Sequence, residues 1–122
     1  MEPAALLVVA VDHPSLDGAL AEFLGALRDE LGRGGHTGSR TPSAELIERL
    51  AADRTMRLGV MAGARLVAVV AVDNDGAVAL AVARDHRRRG IANDLMDVVH
   101  ARAAAIGYPP LHRYSIHSRL AG

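Results

Sequence analysis

An alternating apolar run, Ala77 to Val82, ends in a tight basic turn and gives way at once to a helix-spaced segment from Ile91; this strand–turn–helix order constrains the fold most. Val78, Leu80 and Val82 alternate with Ala79 and Ala81, the period of a strand. The turn carries Arg84, His86, Arg87, Arg88, Arg89 and Gly90. A helix that starts there aims unpaired backbone N–H groups and the positive end of its dipole at whatever lies in front, which suits a phosphate. Gly90 has no Cβ, so the chain can turn sharply and a diphosphate can approach the backbone. Ala92 keeps the first helical turn open, and the guanidinium groups of Arg87, Arg88 and Arg89 can add charge-assisted contacts. One helix end contributes only about 0.3–1 kcal/mol per well-placed charge, so several amides must act together. The competing reading is a solvated arginine run with Gly90 as a simple turn former.

The 122 residues suffice for one domain with one core. Half of the chain is hydrophobic and only 2% is aromatic, so the core must be built from Leu, Val, Ile, Met and Ala. Every one of the 14 basic Lys+Arg positions is Arg. The absence of cysteine excludes disulfides and thiol catalysis. A formal net charge of zero argues against a nonspecific nucleic-acid binder, although Arg84 to Arg89 keeps that as the weakest alternative. No apolar run is long enough to span a bilayer, and Leu6 to Val11 lacks the basic flank of a signal peptide, so no membrane partner and a cytoplasmic address are expected. The six histidines show no i, i+4 pair and no cysteine companions, so no metal is expected.

Along the chain, Ala5 to Val11 is a strand candidate. Ser15 is the expected N-cap of a helix with Leu16, Leu20, Phe23, Leu27 and Leu31 on one face. Gly32 to Thr41, with Gly34, Gly35 and Gly38, is expected to be a loop. Thr41 and Pro42 open a shorter helix carrying Leu46, Ile47 and Leu50. From Met56 to Val82 the period alternates, broken at Gly63-Ala64 and at Asp73-Asn74-Asp75-Gly76, which predicts three strands and two hairpin turns. Ile91 to Ile106 is the post-turn helix, with Ile91, Leu95, Val98, Val99, Arg102 and Ile106 marking its buried side and edges, and Gly107 ends it. Tyr108-Pro109-Pro110 is a rigid connector, and Leu111 to His117 is a last strand expected beside Ala77 to Val82.

Arg87-x-x-Gly90-x-Ala92 after a strand ending in Val82 resembles the coenzyme-binding motif of the GNAT superfamily of N-acetyltransferases. Arg84 stands where that family often has proline, and His86 where it often has tyrosine. The resemblance implies an α/β (α+β) fold: a mixed, mainly antiparallel sheet of about five strands flanked by three helices, in one acetyltransferase-like domain over residues 1–122, abbreviated at its C-terminus. It implies acetyl-coenzyme A as cosubstrate, held by Val82, Arg84, Arg87, Arg88, Arg89, Gly90, Ile91, Ala92 and Asn93. In the family the last two strands named above splay apart to admit the acyl and pantetheine groups. The usual chain then continues into a further helix and hairpin, and that helix commonly supplies a tyrosine that protonates the leaving thiolate. The elements expected here stop short of it, and an unpaired edge would be relieved by a homodimer.

The implied reaction is transfer of acetyl to an amine of a small molecule or protein. It needs a backbone N–H near Val82 for the developing oxyanion, a group that keeps the amine neutral and an acid for the sulfur. Tyr114 is the candidate acid and His86, His112 or His117 the candidate base, although a tyrosine on a strand is more often a packed side chain and a histidine near a chain end more often a solvated one. The alternative is a catalytically degenerate coenzyme-binding or interaction module.

Overall fold

In the computed structural model, which describes residues 6–11, 14–34, 44–51, 56–87 and 90–117, the alternating middle of the chain becomes three strands joined by short turns. These are β2 (Met56–Ala62), β3 (Arg65–Val72) and β4 (Ala77–Val82). The turns fall at the glycines that punctuate the pattern, Gly63 and Gly76, both with positive φ. β1 (Leu6–Ala10) pairs antiparallel with β2, and β5 (His112–His117) joins β4 in parallel, giving one sheet in the order β1-β2-β3-β4-β5. Four strands are thus antiparallel neighbours and the fifth is parallel. A parallel neighbour needs a long crossover, and α3 (Ile91–Ile106) provides it.

Three helices cover the sheet. α1 (Asp17–Gly34) and α2 (Ala44–Ala51) pack on each other and on β3 and β4, while α3 packs on β2, β3 and β4. All six residues of β4 and seven of the eight in β3 are buried. Successive side chains point to opposite faces, so both faces of these strands are covered, with α1 and α2 on one side and α3 on the other. The core is aliphatic, with Leu27, Leu50, Leu66, Leu80 and Leu95 as its largest fully buried side chains. Arg57 ties the layers together: its Nε donates to the Val11 carbonyl at 2.8 Å and its Nη1 to the Ala51 carbonyl at 3.0 Å, satisfying an orphan acceptor at the end of α2.

Four local expectations need correction. Ser15 lies inside a 3₁₀ turn, Pro14–Leu16, and the helix proper begins at Asp17. α1 runs on to Gly34, into the segment expected to be loop, because an established helix extends at one hydrogen bond per residue and tolerates a glycine at about 1 kcal/mol. The rest of that segment, the helix start at Thr41 and Pro42, and the burial of Leu31 lie outside the described residues. On α3 the buried stripe is Ile91, Leu95, Val99 and Ala103; Arg102 and Ile106 are exposed. The helix ends at Gly107 as expected, with φ 75° and the Tyr108 N–H reaching back to the Ala103 carbonyl at 2.9 Å. Finally, β4 and β5 remain neighbours from Ala77 opposite His112 to Ala81 opposite His117, with one slip of register between Ala77 and Ala79, where β5 carries an extra residue, so the irregularity between the two strands lies at the start of the pair and not at Val82.

Candidate functional site

The site forms where β4 ends. The Ala83 N–H donates to the Val67 carbonyl at 2.7 Å, which fixes the alternation of the β3–β4 ladder. Ala83 is therefore spent on β3, and the N–H and C=O of Val82 point toward the β5 side. Arg84–His86 then make one 3₁₀ turn, Arg87 follows, and Gly90 takes φ 75°, ψ 7° before α3 begins. Left-handed backbone favours glycine, so the sequence pattern and the geometry agree on why this residue type stands here. The first intrahelical bond is Asp94 N–H to the Gly90 carbonyl, 3.0 Å, and no side chain caps the helix. The N–H groups of Gly90, Ile91, Ala92 and Asn93 have no partner within the helix. A Cβ placed on Gly90 would meet nothing within 4 Å, so the glycine is required here by its backbone conformation and not by crowding. The placements of Arg88 and Arg89 lie outside the described residues.

Arg87 behaves differently from expectation. Its side chain is turned inward and only 2% exposed. Nη1 and Nη2 donate to the two carboxylate oxygens of Glu30 on α1 at 2.6 and 2.7 Å, and Nε donates to the Val82 carbonyl at 2.9 Å. The guanidinium is committed to this fork, so what Arg87 offers a phosphate is its backbone N–H alone. By holding the Val82 carbonyl, it also occupies an acceptor that would otherwise continue the pairing of β4 with β5. Glu30 was not foreseen: it stands three residues past Leu27 at the edge of the apolar stripe, and nothing local points to a partner 57 positions away.

A second pair braces the turn from the other side. Arg65, first residue of β3, donates to both oxygens of Asp85 at 2.7 and 3.1 Å, and His86 Nδ1 lies 3.1 Å from Asp85 Oδ1. The Arg65 hydrogen bonds, then that of His86, hold the Asp85 carboxyl well below the usual carboxylate range, and the Arg65 guanidinium is pushed up in return. The pair is half exposed, and water screens it. Asp85→Asn is expected to lower stability by only ~0.2–1 kcal/mol at neutral pH. Because the folded carboxyl is depressed, its contribution is complete above the unfolded value of about 3.9 and fades as pH falls through the folded one. Urea unfolding of both proteins from pH 7 to pH 3 should show the difference narrowing below about pH 4; a widening gap would contradict the assignment.

Between these braces lies a cleft of about 480 Å³. One face of α1 walls it with Glu22, Ala26 and Glu30 one turn apart, over a floor of Phe23, Leu27 and Leu66. Arg65, Ala83, Arg84 and Asp85 form the opposite wall, directly before the phosphate-facing turn.

The expected catalytic side chains are only partly brought together. His86 sits in the turn itself. His117 belongs to the end of β5 that pairs with Ala81, although its side chain lies outside the described residues. His112 is at the far end of the sheet: its N–H donates to the Gly76 carbonyl at 2.9 Å, and its ring Nε2, 2.7 Å from the Asp75 carbonyl, donates there too, which excludes it as a base at Val82. Tyr114 is 46% exposed and precedes Ser115, which pairs with Ala79, so it stands ~13 Å along the sheet from Val82 at 3.3 Å per residue. It does not reach the end of β4. Among the described residues there is no group of three or more metal-binding side chains, and no helix is long and apolar enough to cross a membrane.

No protein-family model and no curated protein matches the chain. Solved structures do. The ribosomal-protein-alanine N-acetyltransferase of Brucella melitensis biovar Abortus 2308 is 26% identical over 88% of this chain and 77% of its own, with a TM-score of 0.62. An acetyltransferase of the GNAT family from Xanthomonas campestris pv. campestris is 25% identical over 94% and 76%, with a TM-score of 0.53. An aminoglycoside acetyltransferase from an uncultured soil metagenomic sample shares the fold at 23% identity, covering 96% and 82% with a TM-score of 0.57. The chain has the GNAT N-acetyltransferase fold, and the solved structures that share it at 25–26% identity are acetyltransferases.

Proposed function

We propose that this chain uses acetyl-coenzyme A to acetylate an amine of a small molecule or protein. The observation that carries the reading is the run of amides from Gly90 to Asn93 that have no partner among the described residues, opened by a left-handed glycine, in the turn that follows the buried strand β4. These donors, with the Arg87 N–H, would hold the pyrophosphate, and Arg84 is exposed beside them for a further phosphate contact. Acetyl-coenzyme A supplies an activated acyl group as a thioester. The Val82 N–H, directed toward β5, would stabilise the negative charge that develops on the thioester oxygen as the amine attacks. His86 and His117 are the remaining candidates to take the amine's proton, directly or through water. The reaction draws on a cytoplasmic coenzyme pool. The reading includes a homodimer through the edge strand β5, where Tyr114 and Ile116 are 46% and 47% exposed.

One observation favours a second reading. Tyr114 and His112 both stand away from Val82, as would be found in a module that binds the coenzyme without turning it over.

Calorimetric titration of acetyl-coenzyme A, coenzyme A and dephospho-coenzyme A into wild type and Gly90→Glu tests the primary reading. A Cβ at this position meets nothing within 4 Å, and the left-handed backbone costs a non-glycine residue about 1–2 kcal/mol of strain, so the variant is expected to fold. It places a carboxylate in front of the amides, and binding should fall at least about 100-fold, equivalent to roughly 2.7 kcal/mol. Wild type that binds none of the three ligands would sink the proposal; binding without turnover of a broad amine panel would select the module.

A further inference from the structure

The cleft between α1 and the start of β3 is separate from the coenzyme cradle: neither Val82 nor any amide from Gly90 to Asn93 lines it. Its volume, about 480 Å³, lies within the range of small-molecule pockets, roughly 300–1,000 Å³. Its floor of Phe23, Leu27 and Leu66 is buried and wholly apolar. The walls are braced by two ion pairs, Glu30 with Arg87 and Asp85 with Arg65, each bidentate. Each pair is neutral within itself, so neither calls for a charge from a ligand. Two ionised groups of the lining are left over. Glu22 on the α1 wall and Arg84 on the opposite wall are exposed and make no hydrogen bond or ion pair among the described residues, although Glu22 feels the charge of Arg65.

We infer that this cleft binds a small zwitterion with an apolar body, an apolar α-amino acid or dipeptide with both termini free. Its ammonium is read by Glu22, its carboxylate by Arg84 and its side chain by the floor. One free carboxylate and one free guanidinium facing each other over apolar ground are the charge complement of such a molecule. A ligand of a single charge would satisfy one pole and be repelled by the other. The apolar floor supplies most of the affinity, and the exposed poles supply orientation, since ion pairs open to water are worth little. The termini of an amino acid lie within one residue, about 3.5 Å, and a second residue adds as much, so the two sizes differ in how far apart they hold their charges. Arg84 also borders the phosphate-facing turn, and its five N–H donors suffice for a carboxylate on one edge and a phosphate on the other. The inference needs neither coenzyme nor transfer, so it stands or falls independently of the acetyltransferase reading.

Calorimetric titration and amide NMR spectra of the protein without coenzyme test it. Leucine or leucyl-leucine should bind saturably at millimolar concentration or below and shift the amides of Glu22, Phe23, Ala26 and Arg65; the tighter of the two identifies the size of ligand. Glycylglycine, which keeps both poles and lacks the body, should bind at least about tenfold more weakly than leucyl-leucine. N-acetyl-leucyl-leucine and leucyl-leucine amide, each with one pole removed, should each lose about fivefold. Glu22→Gln should lose the same factor for leucyl-leucine and nothing for its N-acetyl form, and Arg84→Gln should behave likewise toward the amide. Both residues are exposed, so the variants are expected to fold. Ala26→Phe, which fills the cleft from an exposed helix position, should remove binding of every form. No saturable binding of leucine or leucyl-leucine, equal affinity for free and blocked forms, or full binding in Ala26→Phe would overturn the site and leave the coenzyme reading untouched.

Discussion

Replacing Arg87 with alanine is expected to lower the unfolding free energy by about 3 kcal/mol and to weaken coenzyme binding with it. Removing one partner of a buried ion pair costs roughly 3–5 kcal/mol because the other charge is left without compensation. The Glu30 side chain keeps 14% of its exposure, which puts the effect at the lower end of that range. The same substitution frees the Val82 carbonyl and loosens the turn from α1, so the amides at Gly90 to Asn93 lose their fixed aim. Urea unfolding with calorimetric titration would check both parts. The double variant Arg87→Met with Glu30→Leu is the informative companion, since replacing a buried pair by apolar groups is often neutral. It should recover most of the stability. A single variant within about 0.5 kcal/mol of wild type would mean that the guanidinium is not what joins α1 to the turn.

The next largest effect is expected at Gly76. Its φ is 92°, and a Cβ there would run into the Pro110 carbonyl, which is backbone and cannot swing aside. Strain and overpacking each cost about 1–3 kcal/mol, so Gly76→Ala should lose roughly 3 kcal/mol, a fall in Tm of about 10 °C or more. The damage falls on the seam between β4 and β5, because the Gly76 carbonyl accepts the His112 N–H at 2.9 Å. Gly63 is the control. It shares a positive φ of 63° but a Cβ there meets nothing within 4 Å, so Gly63→Ala should cost only the strain, about 1 kcal/mol. Equal melting temperatures for the two variants would show that the Pro110 contact is not decisive.

Much of this structure was legible from local chemistry. The strands β2, β3 and β4 follow from alternation, their turns from Gly63-Ala64 and Asp73 to Gly76, and both ends of α3 from Gly90 and Gly107. Each of these depends on a residue's own backbone freedom or on a period that neighbours share, and both are visible in one dimension. The misreadings have a common origin in tertiary contacts. The Arg87 guanidinium reads as a phosphate contact because the sequence shows its charge but not Glu30, 57 positions earlier, which takes that side chain and leaves the backbone N–H. His112 looked like a candidate base because its strand was placed correctly, whereas a parallel register puts that end of β5 beside Ala77. α1 outran its expected end because glycines weaken a helix without forbidding it. The cleft was invisible for the same reason as the fork: its walls come from α1, β3 and the turn, and no local pattern brings them together.

The parallel attachment of β5 also has a meaning in time. β2, β3 and β4 can zip through turns of a few residues, whereas β1 must find a partner about fifty positions away and β5 must wait for the whole of α3 to lie down. The strands joined by the slowest loop closures are therefore the two at the rims of the sheet. One of those rims is the seam at which the acyl group would enter, so the part of the molecule that has to yield is the part assembled last.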